Sequence, residues 1–199
     1  MRILLYIVLS LGLLFPFIST ANESSPYIVL KDVGSRLFSR IANNQDEIRK
    51  FPNLMIDIIN EEFMPSIDHR YAAFKILGKH LKQTSKAQRL KFTESIQHYL
   101  AHTYASVLMK YKNQQVLYEA EKAIIGKKIV AIKAKIIEMN KPNINIAFKM
   151  RVNNKSGEWK IYDIIVEGIS LLNSKTLEIE KRISKDGVDQ VSLELLYVK

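Results

Sequence analysis

The sequence predicts an α+β fold in which N-terminal helices and a long central helix pack on an antiparallel sheet. Apolar residues recur every three or four positions as far as Tyr111, and at every second position from there to about Val166. Helices that precede a run of consecutive strands, instead of alternating with them, are typical of this class. We therefore expect a helical part at about 22–112 and 167–199 and a sheet at about 114–166.

The N-terminus has the pattern of a secretory signal peptide. Arg2 precedes an apolar run from Ile3 to Ile18, and small residues follow as far as Ala21. The alternative is an uncleaved anchor, but the run is shorter than the roughly 20 apolar residues of a membrane span. We expect residues 1–21 to be removed, which leaves a soluble exported domain, 22–199. The chain has no Cys, so we expect neither disulfides nor a lipidated thiol.

Positive charge is concentrated in the middle of the chain. The 199 residues contain 30 Lys and Arg against 20 Asp and Glu, a net charge of +10, and residues 70–135 hold 14 basic and 3 acidic side chains. An exported protein does not ordinarily meet nucleic acid, so this zone points to anionic lipid head groups or an acidic protein partner. The alternative is that the lysines only solvate a helix face.

The first third of the chain contains two amphipathic helices. One carries Val29, Val33 and Leu37 at helical spacing, and the other covers Leu54 to Phe63 and is ended by Pro65.

A short helix in "HRYAAFKILGKHL" places Phe74 and Leu77 inward, and the longest helix follows it. Ser85 and Gln88 have the spacing of a capping box at the start of that long helix. Its apolar stripe comprises Phe92, Ile96, Tyr99, Leu100, Thr103, Val107 and Tyr111.

The later segments predict three or four antiparallel strands. "QQVLYEAE" is a candidate first strand, and "KKIVAIKAKIIEM" and "INIAFKMRV" alternate apolar and polar residues on either side of the turn "NKPN". A second turn leads into "EWKIYDIIV", which Gly168 ends. One or two closing helices are expected after it.

Candidate catalytic and metal sites are weak. His98 and His102 are four residues apart, but no third ligand is near, and no motif places His69 or His80. Ser170 lacks the second Gly of a nucleophile elbow, and the chain has no glycine-rich phosphate loop. We therefore predict no metal site and no serine nucleophile.

Asp163 and Glu167 lie in an otherwise apolar run and leave one enzymatic alternative open. A carboxyl group in an apolar strand can act as a base, so Asp163 could serve a small-molecule enzyme. The structural alternative is that Glu167, directly before Gly168, accepts backbone N–H groups at a strand-to-helix junction and meets the positive end of the helix dipole. Asp163 could likewise accept hydrogen bonds from the basic neighbouring strands or from a Tyr hydroxyl.

Two stretches resemble the MlaC proteins, also called toluene-tolerance auxiliary proteins. "WKIYDIIVEGISLL" is similar to the family pattern W-x-x-Y-D-(I/V/M)-x-x-E-G-(I/V)-S. "EEFMPSIDHRYAAFKILGKHLKQTSKAQRLKFTESIQHYLAHTYASVLMKY" resembles the family's acidic-then-Pro segment, its V-L-G and its A-T-P-x-Q-R helix start. Here Ser85 and Lys86 replace the usual Thr-Pro. With the signal peptide, the resemblance covers essentially the whole chain.

The resemblance implies a sheet like that of nuclear transport factor two and an elongated apolar pocket for acyl chains. It also implies a periplasmic carrier that moves phospholipid between an outer-membrane lipoprotein–porin complex and an inner-membrane ABC transporter with an MCE-domain subunit. Such a carrier maintains outer-membrane lipid asymmetry, needs no cofactor and is not an enzyme. We expect a monomer. The alternative binding module is a chaperone for lipoproteins or membrane proteins, with an open apolar groove.

On this interpretation the inward residues of strands and helices line the pocket, although each could instead be ordinary core. The predicted pocket residues are Tyr71, Phe74, Leu77, Tyr99, Tyr104, Leu108, Val130, Ile132, Ala134, Ile136, Ile146, Phe148, Met150, Tyr162, Ile164 and Val166. A basic group around the start of the long helix is predicted to dock an acidic partner or meet the lipid phosphate. It comprises Lys79, Lys82, Lys86, Arg89 and Lys91.

Overall fold

The structure, a computed structural model, describes residues 25–197, so the predicted signal peptide lies outside the described residues. The helices are α1 (Pro26–Asn43), α2 (Gln45–Lys50), α3 (Leu54–Ile58), α4 (His69–Leu77), α5 (Lys86–Leu108) and α6 (Leu171–Leu196). A π-helical turn, Ile59–Phe63, and a 3-10 turn, Met64–Ser66, extend α3, and a second 3-10 turn, Gly78–Gln83, follows α4. Among the described helices, none is both long and apolar enough to cross a membrane.

The strands form one antiparallel meander. In sheet order they are β1 (Gln115–Tyr118), β2 (Ile129–Ile137), β3 (Ile144–Val152), β4 (Trp159–Val166) and β5 (Ile169–Ser170). The α+β class and the first four strands agree with the sequence prediction. The two-residue β5 was not predicted, because the segment after Gly168 was expected to be helical.

Helix α5 begins as its sequence predicts. The Ser85 side chain accepts the backbone N–H of Gln88, and the Gln88 side chain accepts the backbone N–H of Ser85. This reciprocal pair satisfies two donors that the first turn would leave without partners. Its 23 residues span about 33 Å at 1.5 Å per residue.

A β-bulge interrupts the pairing of β3 with β4. Lys149 lies opposite Asp163 and Met150 lies opposite Ile161, so Tyr162 has no partner in the ladder. A bulge adds one residue to one strand and shifts which side chains face the core. Ile161 and Ile164 are therefore both buried, whereas strict alternation predicted Tyr162 in the inward row.

Two hydrophobic clusters stabilise the fold. The first joins α1, α3 and its π-helical turn to the inner face of the sheet, with Ile41, Ile58 and Met150 fully buried. The second joins α4, α5 and α6 through residues such as Phe92 and Ile179. Leu100 of α5 packs against both clusters, so this helix links the sheet layer to the helical layer.

Candidate functional site

An apolar cavity lies between the inner face of the sheet and helices α1 and α5. Every strand from β1 to β4 contributes to its wall, and the start of α6 closes one side. Its lining comprises Leu30, Val33, Gly34, Leu37, Phe38, Phe63, Thr103, Tyr104, Val107, Leu108, Tyr118, Ile136, Ile146, Phe148, Ile164, Val166 and Leu171. We call it the main cavity.

The main cavity contains no charged side chain. Its polar side-chain atoms are the hydroxyls of Thr103, Tyr104 and Tyr118, and the Thr103 hydroxyl donates to the Tyr99 carbonyl at 2.8 Å. Burial, with the nearby charge of Asp163, raises the pKa of Tyr104, and burial also raises the pKa of Tyr118. Both phenols are therefore neutral at physiological pH, so the wall of the main cavity is uncharged and suited to an apolar ligand.

The free volume of the main cavity is about 170 Å³. Ligand pockets typically measure about 300–1,000 Å³. A long-chain ligand therefore requires the helices to move away from the sheet. Both helices approach the sheet through side chains, whereas the strands are joined by backbone hydrogen bonds, so we expect the helices to move.

A smaller cavity of about 110 Å³, the side cavity, adjoins the main cavity among α4, α5, β4 and the start of α6. Four residues line both spaces: Thr103, Tyr104, Ile164 and Leu171. These shared side chains form the partition between the cavities, so their displacement would join the two spaces.

Asp163, the candidate base of the enzymatic alternative, binds the start of α6. It is 4% exposed, and its carboxylate accepts the Ser170 hydroxyl at 2.8 Å and the Leu172 backbone N–H at 3.1 Å. The Lys149 ammonium is 3.6 Å away. Ser170 in turn accepts the N–H of Asn173. The carboxylate thus satisfies the helix N-terminus and complements its dipole, which is a structural role.

The Glu167 side chain contacts the neighbouring strand β3 and not the start of α6. Its backbone has a φ of 48°, Gly168 follows with a φ of 81°, and these two residues form the turn between β4 and β5. The Glu167 carboxylate accepts the backbone N–H of Asn145. The prediction that this carboxylate accepts backbone N–H groups is confirmed. The expectation that it would meet the helix dipole is wrong, because Asp163 takes that position.

The structure brings about half of the predicted pocket residues to a cavity. Those on the main cavity are Tyr104, Leu108, Ile136, Ile146, Phe148, Ile164 and Val166. Tyr99 and Tyr162 line the side cavity, with Tyr104 and Ile164.

The remaining predicted residues line neither cavity. Leu77, Ile132, Ala134 and Met150 are buried among other side chains, and Tyr71, Phe74 and Val130 are half-buried. Tyr71 instead packs edge-to-face on Tyr162, with ring centroids 5.2 Å apart.

Sequence reasoning missed the contribution of α1 to the cavity wall. Val33 and Leu37, which the sequence predicts on the apolar face of this helix, line the cavity together with Leu30, whereas the sequence predicts Val29 on that face. Helical periodicity shows which face is buried, but it does not show whether that face meets side chains or a cavity.

The predicted basic group lies at the opposite end of α5 from the main cavity. Lys86 begins this helix and Leu108 ends it, about 33 Å away. Lys79 pairs with Glu180 at 3.2 Å, and Arg89 donates to the Thr84 carbonyl at 2.7 Å. This separation gives no support to a phosphate contact for a ligand in the main cavity, so partner docking is the remaining prediction for the group.

His98 and His102 stack on one face of α5, with ring centroids 4.2 Å apart. Burial, with the neighbouring His98, lowers the pKa of His102. Within residues 25–197 no group of three or more His, Cys, Asp or Glu side chains is placed to hold a metal ion.

Comparison with known proteins gives consistent matches. The family model described as MlaC protein matches residues 31–196. A Haemophilus influenzae protein named intermembrane phospholipid transport system binding protein MlaC is 35% identical over 168 residues, 84% of this chain and 78% of the relative. Toluene tolerance protein ttg2D of Pseudomonas putida is 25% identical over 158 residues, 79% of this chain and 72% of the relative.

The fold also matches a solved structure. A phospholipid-binding protein from Ralstonia solanacearum, determined in complex with a phospholipid, superposes with a TM-score of 0.74 at 18% sequence identity. The match covers 86% of this chain and 99% of the other. At this level of identity the likeness establishes a common fold.

Proposed function

Because the chain belongs to the MlaC family, we propose that it is a periplasmic phospholipid carrier. One lipid-binding domain, residues 22–199, would enclose acyl chains and pass lipid between outer- and inner-membrane transport complexes. The observation that carries this proposal is the main cavity, which is bounded by the sheet, α1 and α5 and lined without a charged residue.

The energetics of lipid transfer require such a cavity. A diacyl phospholipid has about 30 methylenes, and exposing them to water costs roughly 25 kcal/mol at about 0.8 kcal/mol each. A carrier in water must therefore cover the chains. The same term largely cancels between a bilayer and an apolar pocket, so loading and release need no large driving force and no cofactor.

The first experiment measures bound lipid directly. The protein, purified without added lipid, is analysed by native mass spectrometry and by lipid extraction. We expect about one phospholipid per folded protein, and a lipid-free protein that does not load from phospholipid vesicles would contradict the proposal. The same measurement tests the chaperone alternative, which would use the open groove of about 570 Å³ on the outer face of the sheet and predicts no stoichiometric phospholipid.

The second experiment tests the basic group as the surface that docks an acidic transport complex. The variant combines Lys82→Glu with Lys86→Glu and so reverses two exposed charges. Arg89 is left unchanged because its guanidinium donates hydrogen bonds to the hydroxyl and the carbonyl of Thr84. We expect slower lipid transfer to and from membranes that contain the transport complexes, with unchanged bound lipid. Matched reversal of exposed Lys50 and Lys181 serves as the control, and equal transfer by both variants would reject this surface.

A further inference from the structure

The main cavity meets solvent at one end of the sheet. Its wall there is formed by the last residues of β2 and β4, the end of α5 and the start of α6. Val107 and Leu171 both line the cavity, yet they are 61% and 37% exposed. Side chains that touch both the cavity and water mark its mouth.

Three further exposed apolar side chains lie at this same end. Met109 follows α5 directly, Met139 lies in the connection from β2 to β3, and Ile169 pairs with Val166 in the turn after β4. Their exposed fractions are 43%, 87% and 62%. We call Val107, Met109, Met139, Ile169 and Leu171 the rim.

The strand register places these segments together. Gln115, which follows the end of α5, pairs with Ile137, Ile136 pairs with Ile144, and the Glu167 backbone N–H donates to the Asn145 carbonyl. Single exposed apolar residues are ordinary on a protein surface, but a group around a cavity mouth marks an interaction site.

Lysines lie at the same end of the sheet as the rim, Lys110 and Lys112 after α5 and Lys135 on the outer face of β2. Lys110, Lys112 and Lys135 are exposed, and within residues 25–197 none of them forms an ion pair. Lys141 is at the same end and pairs with Glu138 at 2.7 Å. Apolar side chains among free lysines complement the boundary between acyl chains and anionic head groups.

We propose that the rim docks on an anionic bilayer surface and places the mouth of the main cavity against the acyl chains. This inference rests on the proposed carrier function and adds a direct membrane contact to it. Rim side chains enter the headgroup boundary, and the lysines contact lipid phosphates. An acyl chain then passes between bilayer and cavity without crossing water.

Because the chain has no cysteine, single cysteine variants can test directly how deeply the rim enters the bilayer. Single variants Met139→Cys and Ile125→Cys are labelled with an environment-sensitive dye; Ile125 is 94% exposed in the β1–β2 connection, toward the other end of the sheet. With vesicles containing roughly one-third phosphatidylglycerol in phosphatidylcholine, we expect a blue shift at position 139 only. No shift at either position, or equal shifts at both, overturns the proposal.

A charge-matched pair of variants provides the second test. Lys110→Gln, Lys112→Gln and Lys135→Gln are combined in one protein. Lys127→Gln, Lys128→Gln and Lys155→Gln, at exposed positions toward the opposite end, are combined in the control. One lysine near an anionic surface changes binding about fivefold. Vesicle flotation should therefore show at least a tenfold loss for the first variant and a smaller loss for the control, whereas equal losses overturn the rim.

Bound phospholipid, measured on the same preparations, separates the two proposals. A wild-type protein that contains phospholipid but does not bind these vesicles refutes membrane docking and leaves the rim to a protein partner. A protein that neither contains nor loads phospholipid refutes the carrier function itself.

Discussion

Gly34 allows α1 to approach the edge strand of the sheet. A Cβ at this position would overlap the hydroxyl of Tyr118, and the ring carbon Cζ would be at 3.4 Å. Tyr118 lines the main cavity, so this close approach closes the cavity between α1 and β1. An alanine here would have to displace the Tyr118 hydroxyl, which favours glycine within a helix that would otherwise favour alanine.

We predict that Gly34→Ala destabilises the protein by roughly 1–3 kcal/mol, because the Tyr118 hydroxyl must move within a packed wall. In a Tyr118→Phe background the same change should instead stabilise by up to about 1 kcal/mol, since alanine is the better helix former. Urea unfolding of the two single variants and the double variant measures the coupling. An equal effect of Gly34→Ala in both backgrounds would show that the hydroxyl is not the obstacle.

Asp163 provides a second test at a single residue. Asp163→Asn keeps the shape of the side chain. The two carboxylate oxygens accept from the Ser170 hydroxyl and the Leu172 N–H, whereas an amide has only one oxygen to accept a hydrogen bond. We expect a loss of about 1–3 kcal/mol in the free energy of unfolding, with bound phospholipid per folded molecule unchanged. Glu167→Gln, at an exposed carboxylate, is the control and should cost less. A stable Asp163→Asn protein that no longer transfers lipid would revive a chemical role for the carboxylate.

The break in α6 shapes the helical layer. Gly187 has a φ of 79° and a ψ of 160°, a conformation open essentially only to glycine. It lets both halves of the helix face one cluster, with Ile183 before the break and Val188 and Val191 after it. An ion pair between Arg182 and Glu194 spans the break.

We predict that Gly187→Ala destabilises the protein by roughly 1–3 kcal/mol, because the added Cβ strains this backbone. Lys185→Ala, at an exposed position in the same helix, should change stability by less than about 0.5 kcal/mol. Thermal unfolding of the two variants provides the comparison. Equal midpoints would mean that the break relaxes into a continuous helix at no cost.

Elements that depend only on neighbouring residues in the chain were predicted, and those that depend on contacts between strands were not. The capping box of α5 involves only Ser85 and Gln88, and the alternation of β2 and β3 lies within each strand, so both were predicted from sequence. The bulge at Tyr162 is set by pairing with β3, and β5 pairs two residues with the end of β4. Such features depend on neighbouring strands, and residue periodicity does not record them.

At the scale of the whole molecule, the sequence predicted that an apolar site exists more readily than it predicted which residues line that site. Ile146 and Ile132 have the same alternating pattern, yet one lines the main cavity and the other is fully buried core. The difference is set by how the helices pack on the sheet, which the periodicity of a strand does not record. Helix α1 contributes Leu30, Val33 and Leu37 to the cavity wall, so that wall could be recognised only in the assembled fold.

The final prediction follows from the free volume of the main cavity. Val33 of α1 is 3% exposed and lines this space of about 170 Å³, so Val33→Phe can place its ring in the cavity. We expect the lipid-free variant to unfold at an equal or higher temperature, because filling a void adds contacts. Bound phospholipid per protein should fall by more than half, because the ring would occupy the space that we propose for an acyl chain.

Val191→Phe is the matched control for this variant. Val191 is fully buried in the cluster of α4, α5 and α6 and lines neither cavity. Overpacking there should cost roughly 1–3 kcal/mol in the free energy of unfolding, while the folded fraction still carries phospholipid. Calorimetry and native mass spectrometry of both variants separate stability from loading. Full phospholipid occupancy in Val33→Phe, or an equal loss in both variants, would mean that acyl chains are held outside the main cavity.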